Sequence, residues 1–359
     1  MGCNHTTPAW RCMNYLDQKG NVLKPKEGKV KPNFFIKEDT CYNNEELFYK
    51  LNPREKGYEY LHIPCGKCKE CRLNKSRDWA NRCMQEMKQW DHNYFLTLTY
   101  DNEHLPTTMG VDVETGEVVE WETLRFSDLT KFMKDLRRYY KYHFNHDNIR
   151  VFACGEYGEE KGRPHFHPIL FNLPINDLKQ HHRNKLGNII YTSETISKIW
   201  NKGIVGICEA NWETACYTAR YVMKKQKGIT KGLVWFAGEK KLIAGLEPEG
   251  IRPSRNPGIG ATYYKNNKEW IYENDQMFVK TKNGVQTVKP CSYYDRLFDM
   301  ENPEEMKALK ERRKRNLEIA KKMKLLKTDL TEQEYDNMLE ENKNIKIRRL
   351  KRGFEKGCG

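Results

Sequence analysis

The run "GEEKGRPHFHPILFN", residues 158–172, limits what this chain can fold into more than any other stretch. It reads as a buried strand that carries two histidines one residue apart. Side chains alternate faces along a strand, so His165 and His167 point one way and Phe166 the other. By the strand rise, two such imidazoles start about 7 Å apart along one face. They can converge on one divalent ion and still leave room for water and phosphate oxygens. A third ligand should be a carboxylate on the neighbouring strand. Glu156 lies just before the turn into the histidine strand, and hairpin pairing can bring it alongside. The competing reading is a pair of ordinary strand histidines.

The surrounding pattern places this strand in a core. Residues 72–90 show helical spacing of Trp79, Arg82, Cys83 and Glu86. "YFLTLTY" at 94–100 alternates as a strand, and 107–122 reads as an inserted hairpin turning at Glu114-Thr115-Gly116. Ser127 is placed to cap a helix to about 143, with Leu129, Phe132, Met133 and Leu136 on one face. Residues 149–158 form a second strand, and the histidine run a third. A helix opened by Ser193, a strand at 203–210 and a helix from about 212 to 227 follow. Pro168 removes a ladder donor, which points to a strand edge or a bulge. The order β–α–β–β–α–β–α predicts an α+β fold with a ferredoxin-like or RRM-like antiparallel sheet and helices on one face, plus N- and C-terminal extensions. Residues 1 to about 64 and 228–290 read as largely irregular, the latter with short strands.

The last core helix carries "YTARYVMKK". Residues four apart share a helix face about 6 Å apart along the axis, so Tyr217, Tyr221 and Lys224 or Lys225 form one stripe. A phenol with a pKa near 10 is a poor nucleophile at neutral pH. A metal polarising a phosphate, with a lysine nearby, would make its attack feasible. Tyrosines packed against the sheet are the bland alternative.

Charge points to a polyanionic partner. The 63 Lys+Arg exceed the 49 Asp+Glu by 14, and each neutralised phosphate releases counterions. Residues 307–327 hold ten Lys/Arg against two acids, either a solvated helix or an arm that grips phosphates. Arg252 and Arg255, with the nearby tyrosines, suit single-strand binding through cations and stacked rings. No apolar run approaches the roughly 18 residues of a membrane span, and no signal peptide is visible. The Gly2 myristoylation match and the Asn4 sequon are short chance-level patterns. Twelve cysteines without a secretion signal suggest thiols or metal ligands. Cys65, Cys68 and Cys71 repeat every three residues, a good zinc spacing. Cys83, His62, Cys3, His5 and Cys12 are the candidates for a fourth ligand of a structural Zn²⁺ site.

In their order, the strand "FLTLT", the histidine pair and the Y-x-x-x-Y helix with its Y-x-x-K resemble the HUH endonucleases, the rolling-circle replication initiators. The stretches "PCGKCKECRLNKSRDWANRC", "GEYGEEKGRPHFHPIL", "YTARYVMKK" and "RNPGIG", from about 64 to 260, look most like the replication proteins of gokushovirus-type microviruses, small single-stranded DNA phages. The resemblance implies that His165, His167 and Glu156 hold Mg²⁺ or Mn²⁺, that Tyr217 and Tyr221 are the nucleophile pair, and that Lys224 is the motif lysine. Thr97 and Thr99 fall in the first motif, structural or DNA-facing, and Arg220, Lys225, Arg252 and Arg255 are further DNA-binding candidates. The implied activity is a nickase-ligase acting on origin and single-stranded DNA through a 5′-phosphotyrosine link. It would work with host replication helicase and polymerase in the cytoplasm of a bacterial host, away from membranes. A non-catalytic RRM-like single-strand-binding protein is the rival. The expected organisation is 1–90, a cysteine-containing region and helix; 91–230, the endonuclease core; 231–300, an irregular region packed on that core; and 301–359, a basic helical tail.

Overall fold

Short strands open the chain in the computed structural model, which describes residues 6–12, 34–37, 58–66, 68–158, 162–184, 187–220, 234–236 and 241–348. Strands β1 (Thr6–Cys12), β2 (Phe34–Lys37) and β3 (Tyr58–Pro64) pair antiparallel in the order β2-β1-β3, with Thr6 opposite Pro64. Among the described residues of the N-terminal region, this corrects the expectation of an irregular chain. Runs of four to seven residues set far apart in sequence are too short to declare a period.

Helix α1 (Lys69–Met87) precedes strand β4 (Asn93–Thr99). The predicted inserted hairpin is present as β5 (Thr107–Asp112) and β6 (Val118–Glu122). Gly116, at φ 75°, closes its turn by donating its N–H to the Asp112 carbonyl. Helix α2 (Phe126–Phe144) starts one residue before Ser127. Glu247 Oε2, not Ser127, accepts the Phe126 N–H at its first turn. Strands β7 (Arg150–Tyr157), β8 (Pro164–Phe171), β9 (Lys179–Arg183) and β10 (Ile189–Thr192) lead to helix α3 (Glu194–Trp200). Ser193 caps α3 as expected, its hydroxyl accepting the Ile196 N–H at 3.1 Å. Strand β11 (Val205–Glu209) and helix α4 (Trp212–Arg220) complete the predicted alternation.

The following stretch is more regular than its sequence suggests. It contains β12 (Val234–Phe236), β13 (Lys241–Ala244), β14 (Gly250–Pro253), the 14-residue helix α5 (Ala261–Asn274), and the hairpin β15 (Met277–Thr281) and β16 (Gly284–Val288). Strands β12 and β13 extend the β5–β6 hairpin into a four-stranded sheet. Helices α6 (Ser292–Glu301), α7 (Pro303–Leu325) and α8 (Glu332–Arg348) end the described chain.

Two compact units emerge, residues 1–74 with 292–350, and, among the remaining described residues, 75–291. In the first, Lys321 of α7 pairs with Asp336 of α8 at 2.8 Å, and Arg313 with Asp295 at 2.8 Å. The second holds a seven-stranded antiparallel sheet ordered β14-β7-β8-β4-β11-β10-β9. The antiparallel α+β expectation is met, but helices cover both faces of this sheet. On one face Leu96, Leu98, Phe166 and Leu170 pack with Leu129, Phe132 and Leu136 of α2 and with Trp200. On the other, Phe95, Phe152, Cys154 and Ile169 pack with Ala80, Cys83 and Met84 of α1 and with Ala215 and Tyr217 of α4. Alternating strand residues are apolar on both sides, so each face needs its own cover.

Strand β8 is central rather than at an edge, despite Pro168. It pairs continuously with β7, Ala153 opposite Pro168. With β4 it pairs at Asn93–Phe95 and again at Leu98–Thr99, in one register with a gap between. The missing proline N–H is thus met by a gap in one ladder, without a bulge.

The "RNPGIG" run is held from below by buried charge. Glu86 of α1 receives Arg150 Nε at 2.5 Å, and its Oε2 accepts the Gly260 N–H at 2.6 Å. Arg150 Nη2 donates to the Pro257 carbonyl at 2.7 Å, and Arg82 Nε to the Ile259 carbonyl at 2.9 Å. A buried ion pair offsets its desolvation only when further hydrogen bonds complete it, as they do here.

Candidate active site

Antiparallel pairing sets Glu156 of β7 directly opposite His165 of β8, and Cys154 opposite His167. The two histidines share the face that α4 covers. Their rings lean together, with centroids 4.8 Å apart and planes at 89°. Glu156, 0 % exposed, reaches up between them. Its Oε1 lies 2.8 Å from Nε2 of His165 and 2.8 Å from Nε2 of His167. From α4, the buried Tyr217 hydroxyl donates to the same oxygen at 2.5 Å and lies 3.4 Å from His167 Nε2. Histidine pair, carboxylate and one tyrosine are therefore gathered at a single point.

The outer nitrogens of both rings are tied down. His165 Nδ1 lies 3.0 Å from the Arg163 carbonyl. A carbonyl can only accept, so Nδ1 carries a proton there, which leaves Nε2 as the ring atom turned to Glu156. His167 Nδ1 is 3.3 Å from the Thr97 hydroxyl, and the ring also bonds to the Leu96 backbone. Phe95 stacks on His167 at 5.2 Å with planes 11° apart. Burial holds the His167 imidazole below its usual range, against the opposing pull of Glu156. Burial would raise the Glu156 carboxyl, but the charge and hydrogen bonds of His167 and His165 outweigh it and keep it well below the usual carboxylate range.

These residues fit a divalent cation. The three donor atoms lie within 4.8 Å of one another. With Nε2 deprotonated on both rings, the two imidazoles and the carboxylate offer three ligand atoms to one point. The second oxygen, Glu156 Oε2, is buried without a hydrogen-bond partner among the described residues. A buried carboxylate oxygen left without a donor is costly unless a cation answers it.

The other candidate residues separate clearly. Thr97 is buried under His167 as a positioning contact. Thr99 sits opposite His165, and its hydroxyl donates to the Ile204 carbonyl. Arg220 ends α4, partly exposed. Arg252 lies on the other face of the sheet, its guanidinium 3.8 Å above the Phe126 ring and 3.8 Å from Glu247. Arg255 is exposed just beyond β14. Tyr221, Lys224 and Lys225 lie outside the described residues. Cys65, Cys68 and Cys71 cluster, whereas Cys83 is fully buried among Ala80, Met84 and Phe152, where burial pushes its thiol up. Sequence reasoning missed Phe95 and the Arg163 carbonyl. Phe95 was within reach, since it shares a strand face with Thr97.

Comparison with known proteins follows the same residues. The family described as replication-associated protein ORF2/G2P matches residues 93–226, from β4 beyond α4, and so takes in the whole site. The replication-associated protein ORF2 of Spiroplasma virus 4 is 35% identical over 303 residues, covering 82% of this chain and 86% of that one. The replication-associated protein VP4 of Bdellovibrio phage phiMH2K is 33% identical over 199 residues, 55% of this chain and 56% of that one. The replication-associated protein ORF4 of Chlamydia phage 1 is 34% identical over 167 residues, 45% of this chain and 38% of that one. No solved structure matches. Each of these relatives is a replication-associated protein of a virus or phage. The chain belongs to the replication-associated protein ORF2/G2P family.

Proposed function

We propose that the protein initiates rolling-circle replication by nicking origin DNA, with an HUH-type core built on strands β7, β8, β4 and β11. The observation that carries this reading is the Tyr217 hydroxyl, 2.5 Å from Glu156 Oε1 and 3.4 Å from His167 Nε2. His165, His167 and Glu156 would hold Mg²⁺ or Mn²⁺, which when bound polarises the scissile phosphodiester. Tyr217 attacks phosphorus, a P–O3′ bond breaks, and the leaving oxygen departs as a 3′-hydroxyl. The hydrogen bond to Glu156 Oε1 orients the phenol; its proton passes to solvent as the attack proceeds, and the departing 3′ oxygen takes up a proton from solvent. The 5′-phosphate stays on the tyrosine, so the bond energy is kept for religation. Thr97 and the Arg163 carbonyl fix the two rings so that both Nε2 atoms face the same point. Tyr221, four residues on in sequence, is the second nucleophile, which cuts the regenerated origin and lets the freed 3′-hydroxyl close the circle. Lys224 and Lys225 follow it in the motif, and Arg220 and Arg255 are its further DNA contacts; Arg252, on the other face of the sheet, is left out. The setting is the cytoplasm of a bacterial host, with host helicase and polymerase extending the 3′ end.

The test mixes the full chain with circular single-stranded DNA and Mn²⁺. An SDS-resistant protein–DNA species is expected. Replacing both Tyr217 and Tyr221 by Phe should abolish it. Replacing Tyr217 alone should leave partial nicking with impaired circle closure. Persistence of the adduct in the double variant would overturn the nucleophile assignment. No adduct with any divalent metal would favour a non-catalytic single-strand-binding protein.

A further inference from the structure

The cysteine cluster takes no part in the nicking reaction, and its geometry says more than its spacing. We propose that Cys65, Cys68 and Cys71 form a thiolate centre for Zn²⁺ that couples metal binding to the ordering of the chain between β3 and α1. This goes beyond the nickase reading and does not depend on it. The three sulfurs lie within 4.8 Å of one another, Cys65 Sγ and Cys71 Sγ 4.0 Å apart. Two thiolates each about 2.3 Å from a tetrahedral zinc stand about 3.8 Å apart. A disulfide would need about 2.05 Å. The backbone is wrapped around the sulfurs as well. The Cys68 N–H donates to Cys65 Sγ at 3.3 Å, and the Cys71 N–H to Cys68 Sγ at 3.4 Å. Such donors favour the anionic sulfur that a metal requires.

The local chain is bent to make this arrangement. Gly66, at φ 70°, takes the left-handed turn right after Cys65, a conformation that costs glycine least. Cys71 falls in the first turn of α1, where free N–H groups face a negative charge. Strand β3 ends at Pro64, so the first sulfur leaves the sheet and the third enters the helix. One ion bound by all three fixes that corner.

Titrating the reduced, metal-free full-length chain with Co²⁺ tests the proposal. A thiolate-to-cobalt charge-transfer band with intense tetrahedral d–d absorption should saturate and then be displaced by Zn²⁺. It should persist in a His165→Ala/His167→Ala variant, which removes the other metal site, and be lost in Cys68→Ser. Because Cys68→Ser could misfold, alkylation of the wild-type chain with peptide mapping supplies a second measurement. Zn²⁺ should protect Cys65, Cys68 and Cys71 together. The proposal is overturned by a missing charge-transfer band, by a band that only the histidine variant removes, or by equal labelling of the three thiols with and without Zn²⁺. Failure of the wild-type chain to cleave DNA, with an intact cobalt band, would count against the nickase reading alone.

Discussion

Single atoms decide the chemistry at the proposed site. Thr97 contributes one hydroxyl to the outer nitrogen of His167. Partners of this kind typically change metal affinity 10–100-fold, so Thr97→Val should raise the Mn²⁺ concentration needed for half-maximal cleavage by about tenfold or more. The rate at saturating Mn²⁺ should change little. A titration of cleavage against Mn²⁺ reads both. Tyr157 offers a residue-scale test away from the site. Its hydroxyl donates to the Glu247 carbonyl at 2.7 Å and accepts the Leu124 N–H at 3.1 Å. Burial pushes its phenol up from 10.0 to about 12. The unfolded chain therefore loses this proton first as pH rises. The stabilisation is complete below about pH 10 and is lost as pH climbs from there through about 12. Tyr157→Phe should cost about 1–3 kcal/mol at neutral pH and flatten this alkaline limb, measured by urea unfolding across pH. The histidine pair and Glu156 were legible in the sequence because strand alternation and hairpin pairing act at the backbone. Ring orientation is set by Phe95, Thr97 and the Arg163 carbonyl, and these come from tertiary packing that no local period encodes.

Elements were legible in proportion to the width of the face they bury. Helix α2 places six residues in the core, and its pattern stands out. Helix α5 buries only Tyr264, Ile271 and Tyr272, too narrow a stripe to read through "YYKNNKEWIYEN". The strands β1 to β3 are short and widely separated, so their pairing appears only in three dimensions. The "RNPGIG" run has no period of its own in the sequence. In the fold, its carbonyls and the Gly260 N–H are bound by Arg82, Glu86 and Arg150. Arg150→Met should leave Glu86 buried without its charge partner and cost about 3–5 kcal/mol. Chemical denaturation measures this, and the Glu86→Gln/Arg150→Met double variant should recover part of the loss.

At the scale of the whole molecule, the surplus of 14 positive charges sets how the protein meets a polyanion. Helix α7 is basic on its surface. Lys310, Arg313 and Lys321 pair with Asp299, Asp295 and Asp336. For Arg312, Lys314 and Arg315 the described residues show no ion pair. Replacing these three with Gln should lower the slope of log affinity against log salt by about 2 for single-stranded DNA. Fluorescence anisotropy with unrelated oligonucleotides should show the same loss for each sequence. An unchanged slope would assign the helix to solvent alone. Chelation should separate two properties: EDTA removes cleavage, and added Mn²⁺ restores it, while salt-dependent binding persists throughout.

Glu156 and His165 face each other across two strands, and His167 follows at an interval of two. Such a site is written in spacing as much as in letters. Deleting or inserting one residue between His165 and His167 would turn one imidazole through the sheet to the α2 side, even with every amino acid kept. A change of length between the two histidines should therefore abolish the site, whereas one in the loops outside the strand should not.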